Sequence, residues 1–242
     1  MSDPVDLRRR SQQREWMDEQ AASPAVLAAV LADLATVNTV TLARLPTVAF
    51  MRRASRGLPA GSPLRVLDVG YGEGDMLRRI HRWGTRAGVA LDLAGVDLDP
   101  ASAPAAQAAT PPEWGIQYQT GDVFDMPPGG QDVVLSSLFT HHLSDAQAVD
   151  FLVWMERSAA RGWFINDLHR HALAYEGFRL MSAAAGWHPM VRHDGAISVA
   201  RSFRRRDWET LLRRAGLAGV AQVRWHVPFR LCVSRIKLRS AR

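Results

Sequence analysis

The stretch Arg65-Val-Leu-Asp68-Val69-Gly70-Tyr71-Gly72-Glu73-Gly74-Asp75 decides how this chain folds. An apolar run with the texture of a β-strand ends in three glycines within five positions, and a helical pattern through Trp83 follows at once. Glycines at a strand-to-helix turn let the backbone approach a ligand closely, and the amides at the start of the helix favour an electron-rich group. The spacing is Gly-x-Gly-x-Gly rather than the Gly-x-Gly-x-x-Gly of pyrophosphate-binding dehydrogenases. Asp68, just before the first glycine, would repel a pyrophosphate and attract the ammonium of an amino-acid-like ligand.

Downstream, short apolar runs alternate with helical ones. Strands are expected at 65–69, 93–97, 116–120, 132–136 and 162–166, and helices at 75–83, 100–109 and 145–157. This alternation predicts an α/β fold, a Rossmann-like doubly wound and mostly parallel sheet with right-handed crossovers. An amphipathic helix carrying Trp208, Leu211, Leu212 and Ala215 stops at Gly216. The runs 220–225 and 229–233, joined near Pro228, then read as an antiparallel hairpin at one edge, for seven strands in all. Upstream, Ser23-Pro24 is a helix start, with serine as cap and proline in the first turn, and a second helix runs from about Pro46 to Ser55. The glycines and prolines of 57–63 form a linker. The chain thus divides into an N-terminal helical extension, 1–63, and a sheet domain, 64–242, whose segment 169–202 is an apolar and aromatic insertion at the ligand-binding edge, a lid over the substrate.

Composition bounds what such a fold does. With 242 residues, 47% hydrophobic and 22% charged, the chain is an ordinary folded protein and not a disordered or disulfide-framed one. A single cysteine, Cys232, excludes an internal disulfide and the multi-cysteine metal centres, which points to a reducing, cytoplasmic setting. No stretch is long and apolar enough to span a membrane, and the first residues lack the apolar core of a secretory leader. The net charge of +6 is unevenly placed: 7 basic residues face 14 acidic ones over 64–167, and 15 face 4 over 168–242. All the basic residues but Lys237 are arginine. Neither a nucleic-acid recognition module nor an aromatic-interleaved basic stripe accompanies Arg201-Ser-Phe-Arg204-Arg205-Arg206, so a polynucleotide partner is not expected.

In order along the chain, these motifs resemble the class I S-adenosylmethionine-dependent methyltransferases. The resemblance implies that Asp68, Gly70, Tyr71, Gly72 and Gly74 hold the amino-acid end of S-adenosylmethionine. Asp97, in Gly95-Val-Asp97-Leu98-Asp99-Pro100, would take both ribose hydroxyls, with Leu98 beside it and Asp99 capping the next helix. Asp122 in Gly121-Asp122-Val123-Phe124 would meet the adenine amine, with the Val123 amide on the ring. Ser136 and Ser137, which end the fourth strand, complete the cofactor-binding set. S-adenosylhomocysteine would be the product.

The segment Ser136-Ser137-Leu-Phe-Thr140-His141-His142-Leu-Ser-Asp145 bears on the acceptor. The Asn/Asp-Pro-Pro-aromatic tetrad of the family's amino-methylating nucleic-acid and glutamine enzymes is absent. His141-His142-Leu-Ser-Asp145 is similar to the His-Asp-Trp-Ser-Asp of phenol O-methyltransferases, which places His141 on the catalytic base, with His142 as the alternative and a purely structural role for both also open. A phenol with a pKa near 10 is a poor nucleophile at neutral pH, and an imidazole within reach takes its proton. Asn166-Asp167-Leu-His169-Arg-His171 adds Asp167 or His169 to face the substrate or orient His141. The position after the fourth strand offers serines where cation-dependent relatives need an acid, so no metal is expected. The resemblance therefore implies O-methylation of a small aromatic or polyketide-like metabolite in secondary metabolism, with C-methylation of a quinol-type ring and nucleic-acid methylation as alternatives. A homodimer and contact with a carrier protein are compatible with it.

Overall fold

The computed structural model describes residues 5–19, 24–59 and 61–237. The expected cap Ser23 lies outside them.

Seven strands form the sheet: β1 (Leu64–Val69), β2 (Leu91–Asp97), β3 (Gln117–Thr120), β4 (Gln131–Ser137), β5 (Ala159–Leu168), β6 (Gln222–His226) and β7 (Arg230–Ile236). Their order is β3-β2-β1-β4-β5-β7-β6. The first five are parallel, while β7 runs antiparallel between β5 and β6. The chain winds outward from β1 to β3 and then restarts at β4 on the other side of β1. The carboxyl ends of β1 and β4 therefore diverge, and a crevice for a ligand opens between them.

Side chains alternate across this sheet, and the two faces carry separate apolar clusters. Leu64, Val66, Val133, Leu135, Phe164 and Cys232 face α3 (Leu45–Ala54) and α4 (Asp75–Ala87). Leu67, Val69, Val134, Trp163, Ile165 and Val233 face α6 (Asp145–Ser158) and α9 (Arg205–Arg214). Phe50 of α3 stacks on Phe164 with ring centroids 5.0 Å apart, which seats the N-terminal region on the sheet. Ser144 caps α6 with a reciprocal box: its hydroxyl accepts from the Gln147 amide, and the Gln147 side chain accepts from the Ser144 amide.

Three helices stand over the carboxyl edge: α2 (Pro24–Val40), α7 (Ala172–Ala184) and α8 (Pro189–Arg201). Val30, Val26, Leu34 and Val37 of α2 pack with Phe178, Met181, Trp187, Met190 and Val191 in a third apolar cluster. The aromatic content of 169–202 is thus spent largely on holding the cover together, while Leu173 and Leu180 stay exposed. A short α1 (Trp16–Glu19) begins with its Trp16 and Met17 amides donating to the buried Asp194 carboxylate of α8. No helix among the described residues is long and apolar enough to cross a membrane.

Candidate active site

The glycine loop is shaped by what packs beside it. Gly70 has φ +71°, and a Cβ there would come within 2.9 Å of the Phe139 ring; Gly74, at φ +72°, would meet Tyr118. Gly72 is different, since nothing stands within 4 Å of where its Cβ would lie and it opens onto the crevice. Its amide donates to Asp97 Oδ2 at 2.8 Å, and the Asp99 amide donates to Oδ1 at 3.0 Å. Asp97, at the end of β2, is thereby fixed with lone pairs left over for two hydroxyl donors. Asp99 accepts from the Ala101 amide and starts α5 (Ser102–Ala108). Asp122 accepts from the Phe124 amide at 2.9 Å, and Val123 is buried beneath it. Leu98 and Phe124 follow neighbouring strands and remain 71% and 38% exposed, two apolar surfaces at the edge of the crevice. Two such surfaces suit contact with a flat ring.

Asp68 is 1% exposed, and its Oδ1 has no partner. Burial and the nearby Asp75 and Asp97 push its pKa up to about 8. A buried carboxylate without a cation is a costly arrangement that an ammonium would correct. The orphaned Asp68, the fixed Asp97 and the open Gly72 together fit a ligand with an amino-acid end and a ribose.

Asp68 lines a cavity of about 50 Å³ with Tyr71, Ser137, Asn166 and Arg230, roofed by Asn38 of α2 and by Ala43 and Arg44 of the α2–α3 turn. Arg44 is paired with Asp75 at 2.6 Å. Tyr71 packs against Tyr118, and its hydroxyl is unpartnered. The alternation of β4 separates the two serines. Ser137 faces this cavity, whereas Ser136 belongs to the opposite face, buried with its hydroxyl unpartnered, so the cofactor-binding expectation for its side chain is not met by where it points. Asn166 Nδ2 donates to the Ala43 carbonyl at 2.7 Å and to Thr47 Oγ1 at 3.1 Å, and the Cys232 thiol donates to its Oδ1 at 3.7 Å. The lone cysteine is a buried structural group whose pKa burial pushes up to about 12.

His141 lies on the other face. Its Nδ1 is 2.8 Å from Asp167 Oδ1, and its Nε2 is 3.6 Å from Glu15 Oε1. Burial alone would lower its pKa, but the two carboxylates outweigh burial and raise it to about 9. In this geometry the ring holds both protons at neutral pH and has no lone pair to offer. Asp167 also accepts from Thr140 Oγ1 and from the amides of His141 and Leu168, which ties the end of β5 to the loop after β4. Asp167 thus fixes the His141 ring through Nδ1. His142 is exposed beside it, with ring centroids 4.3 Å apart. His169 lies in the field of His171, Arg204, Arg205 and Arg170, and burial first, then these charges, hold its pKa below the usual imidazole range. His169 does not line the cavity that Asp68 shares.

Two groups in this region escape sequence reading. Glu15 and Arg10 come from a segment with almost no regular structure: Arg10 donates to the Leu143 and Arg201 carbonyls, pairs with Asp145 at 2.7 Å and stacks on Phe203. Arg230, a charged residue inside an otherwise apolar strand run, carries a signal that the sequence does offer. Its inward register is what makes it noteworthy.

Residues 66–162 match the family model of a methyltransferase domain. No protein of curated function matches the sequence. Among solved structures, the plantazolicin methyltransferase BpumL in complex with a pentazolic desmethylPZN analog and SAH is similar over 93% of each chain, at 15% identity and a TM-score of 0.67. The citrinin polyketide synthase CMeT domain matches 78% of this chain and 51% of its own at 15% identity, TM-score 0.56. LepI in complex with SAM matches 77% and 46% at 19% identity, TM-score 0.54. These likenesses show a shared fold, and the first extends it over the N-terminal helices and the cover. The family match lies on the strands that carry Asp68, Asp97 and Asp122, so residues 66–162 form a methyltransferase domain, and the site around them supports S-adenosylmethionine as its methyl donor.

Proposed function

We propose that this enzyme methylates an oxygen of a small aromatic or polyketide-like metabolite. One observation carries the reading: the polar groups at the carboxyl edge, Asp68, Ser137, Asn166 and Arg230, all lie beneath the α2–α3 turn. A site roofed in this way suits a small acceptor that becomes enclosed, and a polymer strand has no open groove along these residues. The absence of the Asn/Asp-Pro-Pro-aromatic tetrad speaks against nucleic-acid and glutamine amines, and the likeness of His141-His142-Leu-Ser-Asp145 to phenol O-methyltransferases supports oxygen. The citrinin polyketide synthase domain and the plantazolicin enzyme, whose names tie them to natural products, support the metabolite class.

On this reading, Asp68 holds the donor's ammonium and Asp97 its ribose, with Leu98, Val123 and Phe124 around the adenine and Asp122 at its amine. The Gly72 amide keeps Asp97 in register. Bound there, S-adenosylmethionine would supply an electrophilic methyl carbon to the acceptor's lone pair, with its sulfur keeping the C–S bonding pair. Catalysis by the chain is then chiefly positioning and exclusion of water under the roof. His141, held between Glu15 and Asp167 on the face opposite the cavity, serves on this reading to fix the loop after β4 rather than as the expected base.

The test is a panel of phenols and quinols incubated with methyl-¹³C-labelled donor, with the product's label located by NMR. A methoxy signal is the expected result. A ring-methyl signal from the quinols would establish C-methylation in its place, and an N-methyl product would remove the basis for reading the missing tetrad.

A further inference from the structure

Arg230 opens β7 and pairs in register with Leu168, the last residue of β5. It is 2% exposed. Its Nη2 makes a single long contact of 3.5 Å to Thr41 Oγ1, while Nε and Nη1 have no partner. A guanidinium cannot escape its charge by losing a proton, so burial without an anion leaves it uncompensated. Asp167 is close enough to be felt, but its oxygens are committed to Thr140, His141 and the Leu168 amide. The other charges on the cavity are Asp68 and the Arg44–Asp75 pair, which satisfies itself.

Strand order says which ligand this cation serves. The donor-holding residues sit at the ends of β1, β2 and β3. β7 is three strand spacings from β1 in the other direction, about 14 Å at ~4.8 Å each. Arg230 therefore enters the cavity it shares with Asp68 from the side of the crevice opposite β2 and β3, the side left for the acceptor once the donor lies along β1, β2 and β3. Its planar fork matches an oxygen anion.

We propose that Arg230 holds the methyl acceptor as an oxyanion, a phenolate, enolate or carboxylate, at the acceptor end of the roofed cavity. The inference rests on the small-molecule methylation reading above and narrows it to acceptors that bind ionised. An acceptor that gives its proton to solvent before it is enclosed needs no base inside, which accords with a His141 already protonated. When its lone pair forms the new O–C bond, the anion's charge and the donor's positive charge cancel, and both products leave neutral at those atoms.

The test uses the full chain saturated with S-adenosylhomocysteine and two probes, 4-nitrophenol, whose phenolate absorbs visible light, and benzoate. Bound to the wild type, 4-nitrophenol should ionise at a pH lower by about one unit, a tenfold gain in affinity for the phenolate over the phenol. Arg230→Gln should lose that gain while binding S-adenosylhomocysteine within twofold of wild type. Arg230→Met, which keeps the alkyl bulk, serves as the second variant. Should neither fold, the wild-type shift, with a benzoate-dependent rise in Tm, stands as the test. Benzoate displacing the chromophore assigns a carboxylate as the favoured anion, failure to displace it a phenolate, and either supports the site. A shift that survives both substitutions overturns the proposal, as does a wild type that binds neither probe at millimolar concentration. Loss of S-adenosylhomocysteine affinity in both variants also overturns it, by moving Arg230 to the donor's carboxylate. A wild type that binds no S-adenosylhomocysteine sinks the methyltransferase reading itself, which separates that failure from this one.

Discussion

His141 joins two carboxylates from distant parts of the chain, Asp167 at the end of β5 and Glu15 in the N-terminal segment. All three are buried, so the trio carries a net negative charge in a medium where an unpaired charge is costly. The folded state raises the His141 pKa to about 9 and holds that of Glu15 below the ordinary carboxylate range. The signs follow from linkage. A histidine with a raised folded pKa contributes stability that is complete below its unfolded value of about 6.5 and is lost as pH climbs through about 9. Glu15 contributes above its unfolded value of about 4.3 and loses that contribution in acid. The joint contribution of His141 and Glu15 should therefore be largest between about pH 4.5 and 6.5 and decline toward pH 9. His141→Asn should cost about 3–5 kcal/mol at pH 6, because it strands two buried carboxylates, and should flatten the alkaline decline. Melting curves collected across pH 5–9 provide the check, and parallel curves for wild type and variant would contradict the charged-histidine account.

At the scale of elements, the α2–α3 turn governs access. Asn166 fastens it to the sheet through the Ala43 carbonyl and Thr47, and the space beneath, about 50 Å³, holds a few waters but not the amino-acid end of a methyl donor. The turn stands over the space assigned to the donor's amino-acid end. Asn166→Ala should destabilise the fold by about 1–3 kcal/mol and speed amide exchange over residues 41–47 in the ligand-free protein. Exchange followed by mass spectrometry reads this directly; unchanged protection would mean that something else holds the roof. The elements themselves were largely legible in the sequence, because strand and helix periods alternate cleanly from Arg65 to Asp167 and the motifs sit at their junctions. β5 starts earlier than its apolar run suggests, since Ala159 pairs with Gln131 across a bulge. What the sequence hides is long-range. Nothing local tells that Arg10 and Glu15 lie against the loop after β4, or that the aromatics of 169–202 turn toward α2. Ser136 and Ser137 look equivalent in a string of letters, and only the pleat of β4 separates them.

At the scale of the whole molecule, the charge polarity acquires an internal explanation. Much of the basic final third is occupied in tying the fold together. Arg170 pairs with Asp207, Arg205 donates to the Val223 carbonyl, and Arg235 and Lys237 converge on Glu156. Arg230 is buried in the crevice. The acidic middle, by contrast, supplies the carboxylates at the ends of β1, β2 and β3, where a cationic, hydroxyl-rich donor belongs. The central claim is that this donor lies along those ends with its ribose on Asp97, and calorimetric titration of S-adenosylhomocysteine into wild type and Asp97→Ala tests it most directly. The expected result is one-to-one binding by the wild type, weakened about 10–100-fold in a folded variant, the worth of hydrogen bonds to a charged acceptor. Equal affinity in the two proteins, or no binding by the wild type, would contradict it.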